Sequence, residues 1–165
     1  MGDGIPVAPR EVDLHRLCKE IVAEMGQAYP ARTFRFEAAG DLRGELDPDR
    51  VEQVLSNLVG NAVTHGEGVI SVSASDGGDH VLMTVHNQGA AIPVAALPTL
   101  FDPFIRGARD DHGKHEAAGG LGLGLYIVSE IVHAHGGTIS VSSVEGAGTT
   151  FAINWPRKVP PRGAR

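Results

Sequence analysis

Apolar residues recur at three- and four-residue steps from Val12 to about Ala28, where Leu14, Leu17, Cys18, Ile21, Val22 and Met25 share one face. That spacing predicts an amphipathic helix, with Pro30 just beyond its end. Thr33 to Glu37 and Leu42 to Leu46 read as short strands, the first with Phe34 and Phe36 on one side. Asp47 then offers an N-cap and Pro48 a first helical residue, a strong start signal for a second helix. Its buried stripe is Val51, Val54, Leu55, Leu58, Val59 and Ala62. Gln53, Asn57 and Asn61 form a polar row that drifts by about 40° per four-residue step, which brings Asn61 to the border of the apolar face.

Ile70 to Ser75 alternates apolar residues with serine, Asp76-Gly77-Gly78-Asp79 is turn chemistry, and Val81 to Val85 resumes as a strand. Val94 to Phe101 is a helical stretch interrupted by Pro98. Ile127, Val128, Ile131 and Val132 mark a third main helix that stops at Gly136-Gly137. Ile139 and Val141 open a second hairpin, and Thr149, Phe151, Ile153 and Trp155 alternate along its last strand. Helices alternating with hairpins predict an α+β fold: a two-layer sandwich with a mixed sheet of about five or six strands and three main helices on one face.

At 165 residues and 42% hydrophobic content the chain suits one globular domain with its own core. The expected boundaries are a linker or disordered N-terminus over residues 1–11, the domain over 12–156, and a basic, Pro-rich tail over 157–165. A net charge of −6, with the cations Arg157, Lys158, Arg162 and Arg165 gathered in the tail, argues against nucleic-acid binding. No apolar run reaches the length of a membrane span and no signal peptide pattern opens the chain, so a cytoplasmic domain without membrane contact is expected. Cys18 is the single cysteine, which excludes an internal disulfide, and its place on the apolar stripe suggests core packing. Neither His112 with His115 nor His133 with His135 finds a third ligand at metal spacing.

The strongest chemical signal is Gly119-Gly120-Leu121-Gly122-Leu123-Gly124, a glycine-rich loop running into the third helix. Glycines let backbone N–H groups approach a phosphate, and the helix start adds unpaired N–H groups and the positive end of its dipole. Leu125 stands where a Rossmann fingerprint needs its third glycine, and His112 stands where a Walker A loop beginning at Gly107 needs its second. Close packing of a helix on a sheet is the other reading of the same glycines. The segment from Arg106 to Gly120 carries no apolar side chain larger than alanine, and its place before the glycines favours a lid. Asn61 offers an amide oxygen suited to a hard cation such as Mg²⁺.

Four separated motifs together resemble the catalytic ATP-binding domain of two-component sensor histidine kinases. Asn57-Leu58-Val59-Gly60-Asn61-Ala62 is similar to the family's N box, and Asn87-Gln88-Gly89-Ala90-Ala91-Ile92 to its first glycine box. Phe101-Asp102-Pro103-Phe104 resembles the F box and Gly120 to Gly124 the second glycine box, with Gly148-Thr149-Thr150-Phe151 as the closing strand. The resemblance covers roughly residues 12 to 156. It implies ATP and Mg²⁺ as ligands, with Asn61 on the metal and Asn57 supporting the site. It also implies that Asn87, Gly89, Ile92 and Thr149 hold adenine, that Gly120, Leu121, Gly122, Leu123 and Gly124 surround the phosphates, and that Arg106 and Lys114 neutralise them from the lid. The partners implied are a phosphoacceptor histidine segment of the same kinase and a downstream response regulator.

Three departures qualify the expectation. Asn87 stands where the family usually has Asp. Its amide offers both a donor and an acceptor, so selectivity for ATP over GTP is expected to relax. Thr64 replaces a common Lys, and the phosphoacceptor helices are not found in this chain. Related ATPases with a hydrolytic role carry Glu at the position of Asn57, and an amide cannot accept the proton of an attacking water. The expected function is therefore transfer of the ATP γ-phosphate to histidine. The alternatives are a non-catalytic nucleotide- or partner-binding module and a serine kinase of the anti-sigma-factor type.

Overall fold

The computed structural model describes residues 4–103 and 123–161. The elements follow as β1 (Arg10–Asp13), α1 (Leu14–Ala28), β2 (Phe34–Ala39), β3 (Arg43–Leu46), α2 (Pro48–His65), β4 (Glu67–Asp76), β5 (His80–Gln88), a 3₁₀ helix (Val94–Thr99), α3 (Gly124–Ala134), β6 (Thr138–Val144) and β7 (Gly148–Pro156). Five strands form one sheet in the order β2-β4-β5-β7-β6, and β1 pairs with β3 in a small sheet apart. In this sheet only β2 and β4 run parallel, as a connection through a helix allows; β4–β5 and β6–β7 are antiparallel hairpins, and β5 and β7 join them, also antiparallel. The α+β architecture expected from the sequence is the one observed.

The helices cover one face. The middle helix α2 packs between α1 and α3 and lies over β4 and β5, α1 lies over β2 and β4, and α3 meets β6. Every residue of the stripe anticipated on α2 is buried, and so are Leu14, Cys18, Ile21 and Val22 on α1 and Val128, Ile131 and Val132 on α3. The sheet answers with the inward residues of each strand, Val81, Met83 and Val85 on β5 and Phe151, Ile153 and Trp155 on β7. Burial, helped by nearby Asp13, pushes the Cys18 thiol up to about 12, and its Sγ lies 3.7 Å from the Met83 Sδ. Cys18 is a packing residue.

The start of α2 is fixed as expected. The Asp47 carboxylate accepts from the N–H groups of Asp49 at 3.1 Å and Arg50 at 3.3 Å, with Pro48 in the first turn. Two further contacts make Asp47 a junction. Its second carboxylate oxygen accepts from the Ala8 N–H at 2.9 Å, and its own N–H donates to the His135 Nε2 at 3.1 Å.

Both ends differ from the expectation of loose termini. Ile5 packs on the core, and residues 10–13 join a strand instead of the first helical turn, because β3 offers them a backbone ladder from Arg10–Leu46 to Asp13–Arg43. Helix α1 accordingly begins at Leu14, capped by the Asp13 side chain on the His15 N–H at 3.0 Å. In the tail, Arg157 donates to the carbonyls of Gly78 (2.7 Å), Arg43 (2.6 Å) and Asp41 (2.9 Å) and to the Asp76 carboxylate (2.7 Å). Val159 packs on the core beyond it. The described part of the tail, through residue 161, is docked on the domain because these carbonyls sit at loop ends where the backbone ladder leaves them unpaired.

Candidate nucleotide site

Three neighbouring strands break their inward apolar rows at the same end of the sheet. On β5 the row Val81, Met83, Val85 ends in Asn87; on β7 Trp155, Ile153, Phe151 ends in Thr149; on β6 Ile139 and Val141 lead to Ser143. Because successive same-face residues are two apart, each polar group faces the helices, as the apolar residues before it do. Register brings them side by side, with Asn87 opposite Thr149 and Thr149 opposite Ser143. Asn87 and Thr149 are buried, at 7% and 5% exposure. Polar groups so buried need partners.

The hydroxyls form a short chain. The Ile92 N–H donates to the Ser143 Oγ at 2.8 Å, and Ser143 Oγ lies 2.7 Å from Thr149 Oγ1. The segment after β5, which turns at Gly89 (φ 122°), is thereby fastened across the top of β6 and β7. Phe101 holds the following segment down with an edge-on contact to Phe151, ring centroids 6.2 Å apart.

The Asn87 side chain is held by its own strand end. Its Nδ2 donates to the Gln88 carbonyl at 2.8 Å. Turning the amide over would set Oδ1 against that carbonyl, two acceptors facing each other. In this orientation the amide leaves Oδ1 as its acceptor. Two glycines make room for it. A Cβ on Gly66, at the end of α2, would meet the Asn87 Nδ2 at 2.3 Å, and one on Gly148, at φ 86°, would meet the Asn87 backbone oxygen at 2.1 Å. Arg32 closes the wall behind Gly66, donating to the carbonyls of Val63 (2.7 Å), Gly66 (3.3 Å) and Gly68 (3.3 Å) where the end of α2 leaves acceptors unpaired.

The other side of the site is α2 against the start of α3. Asn57 Nδ2 donates to the Gly124 carbonyl at 3.3 Å, tying the N-box motif to the first residue of α3. Asn61 stands one turn further along α2, half-buried, on the side of the helix marked by Asn57. Among the described residues no side chain caps α3 and its first turn carries no acid, so its N-terminal dipole suits an anion. Leu123 and Gly124 are at that terminus. Arg106, Lys114, Gly120, Leu121 and Gly122, with the lid expected over residues 106–120, lie outside the described residues.

The structure thus brings Asn57 to Gly124 and gathers Asn87, Ile92 and Thr149 around a residue that the sequence reading passed over, Ser143. A signal was there: Ser143 continues the inward register of Ile139 and Val141 and is the polar member of that row. Gly66 and Arg32 were also missed, since their roles rest on close approach between segments distant in sequence. Among the described residues no three His, Cys, Asp or Glu side chains converge on a metal position, and His112 and His115 lie outside those residues.

A family model described as "Histidine kinase-, DNA gyrase B-, and HSP90-like ATPase" matches residues 46–159. The chain belongs to this ATPase family. Within it the likeness is to histidine kinases. A bacteriophytochrome of Pseudomonas aeruginosa is 35% identical over 157 residues, covering 94% of this chain and 21% of its own length. The sensor histidine kinase ZraS of Escherichia coli is 37% identical over 155 residues, covering 91% and 31%. The solved catalytic domain of the histidine kinase ThkA superposes with a TM-score of 0.78 at 29% identity, over 92% of this chain and 97% of that one. ThkA in complex with the response regulator TrrA gives 0.76 at 29% identity, over 94% and 44%. The chain is therefore a histidine-kinase-type catalytic domain, and it spans about a fifth to a third of the length of the curated relatives it matches.

Proposed function

We propose that this domain binds ATP with Mg²⁺ at the polar end of the sheet and passes the γ-phosphate to a histidine on a separate phosphoacceptor segment. The observation that carries the proposal is the cluster of Asn87, Ser143 and Thr149 ending three apolar rows, beside a helix layer in which Asn57 holds the start of α3. The Asn87 Oδ1 accepts from the exocyclic amine of adenine, with Gly89, Ile92 and Thr149 around the base. The phosphates lie toward Leu123 and Gly124, with Gly120, Leu121, Gly122, Arg106 and Lys114 completing their surroundings.

Mg²⁺ suits the donor set. A hard, strongly hydrated cation takes one protein oxygen together with phosphate oxygens and water, and the Asn61 amide supplies such an oxygen on the phosphate side. When bound, the metal neutralises charge on the transferring phosphoryl group. Asn57, held on the Gly124 carbonyl, positions the start of α3 and supplies no base. Hydrolysis by an activated water is thus disfavoured, whereas a neutral imidazole nitrogen is already nucleophilic and needs only to be positioned. By the same reading a response regulator receives the phosphate afterwards.

The test is labelling from γ-labelled ATP, with and without a two-helix phosphoacceptor segment supplied in trans. The expected result is an acid-labile label on that segment's histidine, with neither label nor appreciable turnover on the isolated chain. Acid-stable label on serine would instead establish a serine kinase, and ATP binding without transfer to any segment would favour the binding-module alternative.

A further inference from the structure

Ser143 lies outside the four motifs, yet it joins the first glycine box, through Ile92, to Thr149 of the closing strand. Its Oγ has two lone pairs and one proton. One lone pair takes the Ile92 N–H at 2.8 Å, and Thr149 Oγ1, at 2.7 Å, is the acceptor within reach of its proton among the described residues. When Ser143 donates to Thr149, the Thr149 hydroxyl has used a lone pair and keeps its own proton for another acceptor. Thr149 is 5% exposed and stands opposite Asn87, whose Nδ2 is committed to the Gln88 carbonyl. The two side chains therefore offer complementary groups side by side, an acceptor from Asn87 and a donor from Thr149.

We propose that Ser143 is a specificity-determining positioning residue, which aims the Thr149 proton at an acceptor nitrogen on the base edge while fastening the Gly89–Ile92 turn over the base. Resting on the nucleotide reading above, this assigns the site a two-point code. Adenine shows an amino donor with ring-nitrogen acceptors on either side of it. Guanine held in the same register shows its carbonyl acceptor to the Asn87 Oδ1, a contact that opposes like groups. An alanine at position 143 would remove the direction of the Thr149 proton and leave the Ile92 N–H without its partner. A threonine keeps the hydroxyl and suits a strand.

Competition titrations with ATP, 1-deaza-ATP and 7-deaza-ATP test this, because each analogue replaces one ring nitrogen with a C–H group. In the wild type one of the two analogues is expected to bind about fivefold to tenfold more weakly than ATP, the scale of one hydrogen bond. In Ser143→Ala that gap closes to within about twofold, and in Ser143→Thr it persists. Thr149→Val should close the gap as well, and Ser143→Ala should then add nothing to it, a readout that loss of fold stability does not imitate. Tight ATP binding with an unchanged gap in Ser143→Ala, or with no gap in the wild type, overturns the role of Ser143 alone. Failure of the wild type to bind ATP overturns the nucleotide reading and this inference with it.

Discussion

Asn87 on β5 and Thr149 on β7 stand directly opposite each other, both buried, at the point where two apolar strand rows give way to polar groups. Their position follows from a period of two along each strand and from the antiparallel register between them. A side chain that would be core anywhere else in its row becomes the wall of a site at the row's end.

The fixed amide of Asn87 makes a prediction about the base. Asn87→Asp should change the ratio of ATP to GTP affinity by less than about threefold, since both residues present an acceptor. Asn87→Ala should weaken ATP by about 1 to 2 kcal/mol and lower its advantage over GTP. Competition binding of both nucleotides measures both effects. A preference for ATP that rises tenfold or more in Asn87→Asp would show that the wild-type amide turns to suit either base.

Much of this fold is legible along the sequence, and the limits are equally specific. The stripe from Val51 to Ala62 reads directly because a 3.6-residue period leaves one face to bury, and the Asp47-Pro48 start reads because capping chemistry is local. Asn87 and Thr149 are visible as polar ends of alternating strands. Their pairing is not, because register between strands so far apart in the chain depends on tertiary packing. Ser143 escaped because a serine in a serine-rich strand looks like surface. The docking of Arg157 escaped because its four acceptors come from two segments, 41–43 and 76–78, both far from it in sequence.

Removal of the Asn61 side-chain oxygen should act through the metal. Asn61→Ala is expected to weaken ATP by about 2 kcal/mol in Mg²⁺ and by much less in its absence. Calorimetry with and without a chelator separates the two. Equal losses under both conditions would mean that Asn61 meets the nucleotide directly or acts only through the fold.

His135 should make the domain sensitive to acid. Fully buried, it lies 2.9 Å from the Ile131 carbonyl through Nδ1 and accepts the Asp47 N–H through Nε2, which is the neutral tautomer with its proton on Nδ1. Burial holds its pKa below the ordinary 6.5, partly opposed by the Ile131 contact and Asp47. The unfolded chain thus binds a proton that the native state refuses. This contribution is complete above about pH 6.5 and is lost as pH falls toward the depressed native value. Thermal unfolding should show the melting temperature dropping between pH 7 and pH 5, with a shallower drop in His135→Gln. An identical slope in the variant would assign the acid sensitivity elsewhere.

Arg157 should matter to stability although it lies outside the motif-bearing region. Arg157→Ala removes contacts to Gly78, Arg43, Asp41 and Asp76 and should lower the melting temperature by about 3 °C without changing nucleotide affinity. Unchanged melting would show that the tail contributes nothing to the folded state.

The central claim is that the nucleotide sits where the rows of β5, β7 and β6 turn polar. Backbone amide NMR of the isotopically labelled domain titrated with Mg–ATP tests it most directly. The largest shifts should fall on Asn87, Gly89, Ile92, Ser143, Thr149 and the first residues of α3, with β1 and β3 almost unmoved. Saturable shifts centred on the β1–β3 sheet, or none at the polar strand ends, would contradict it.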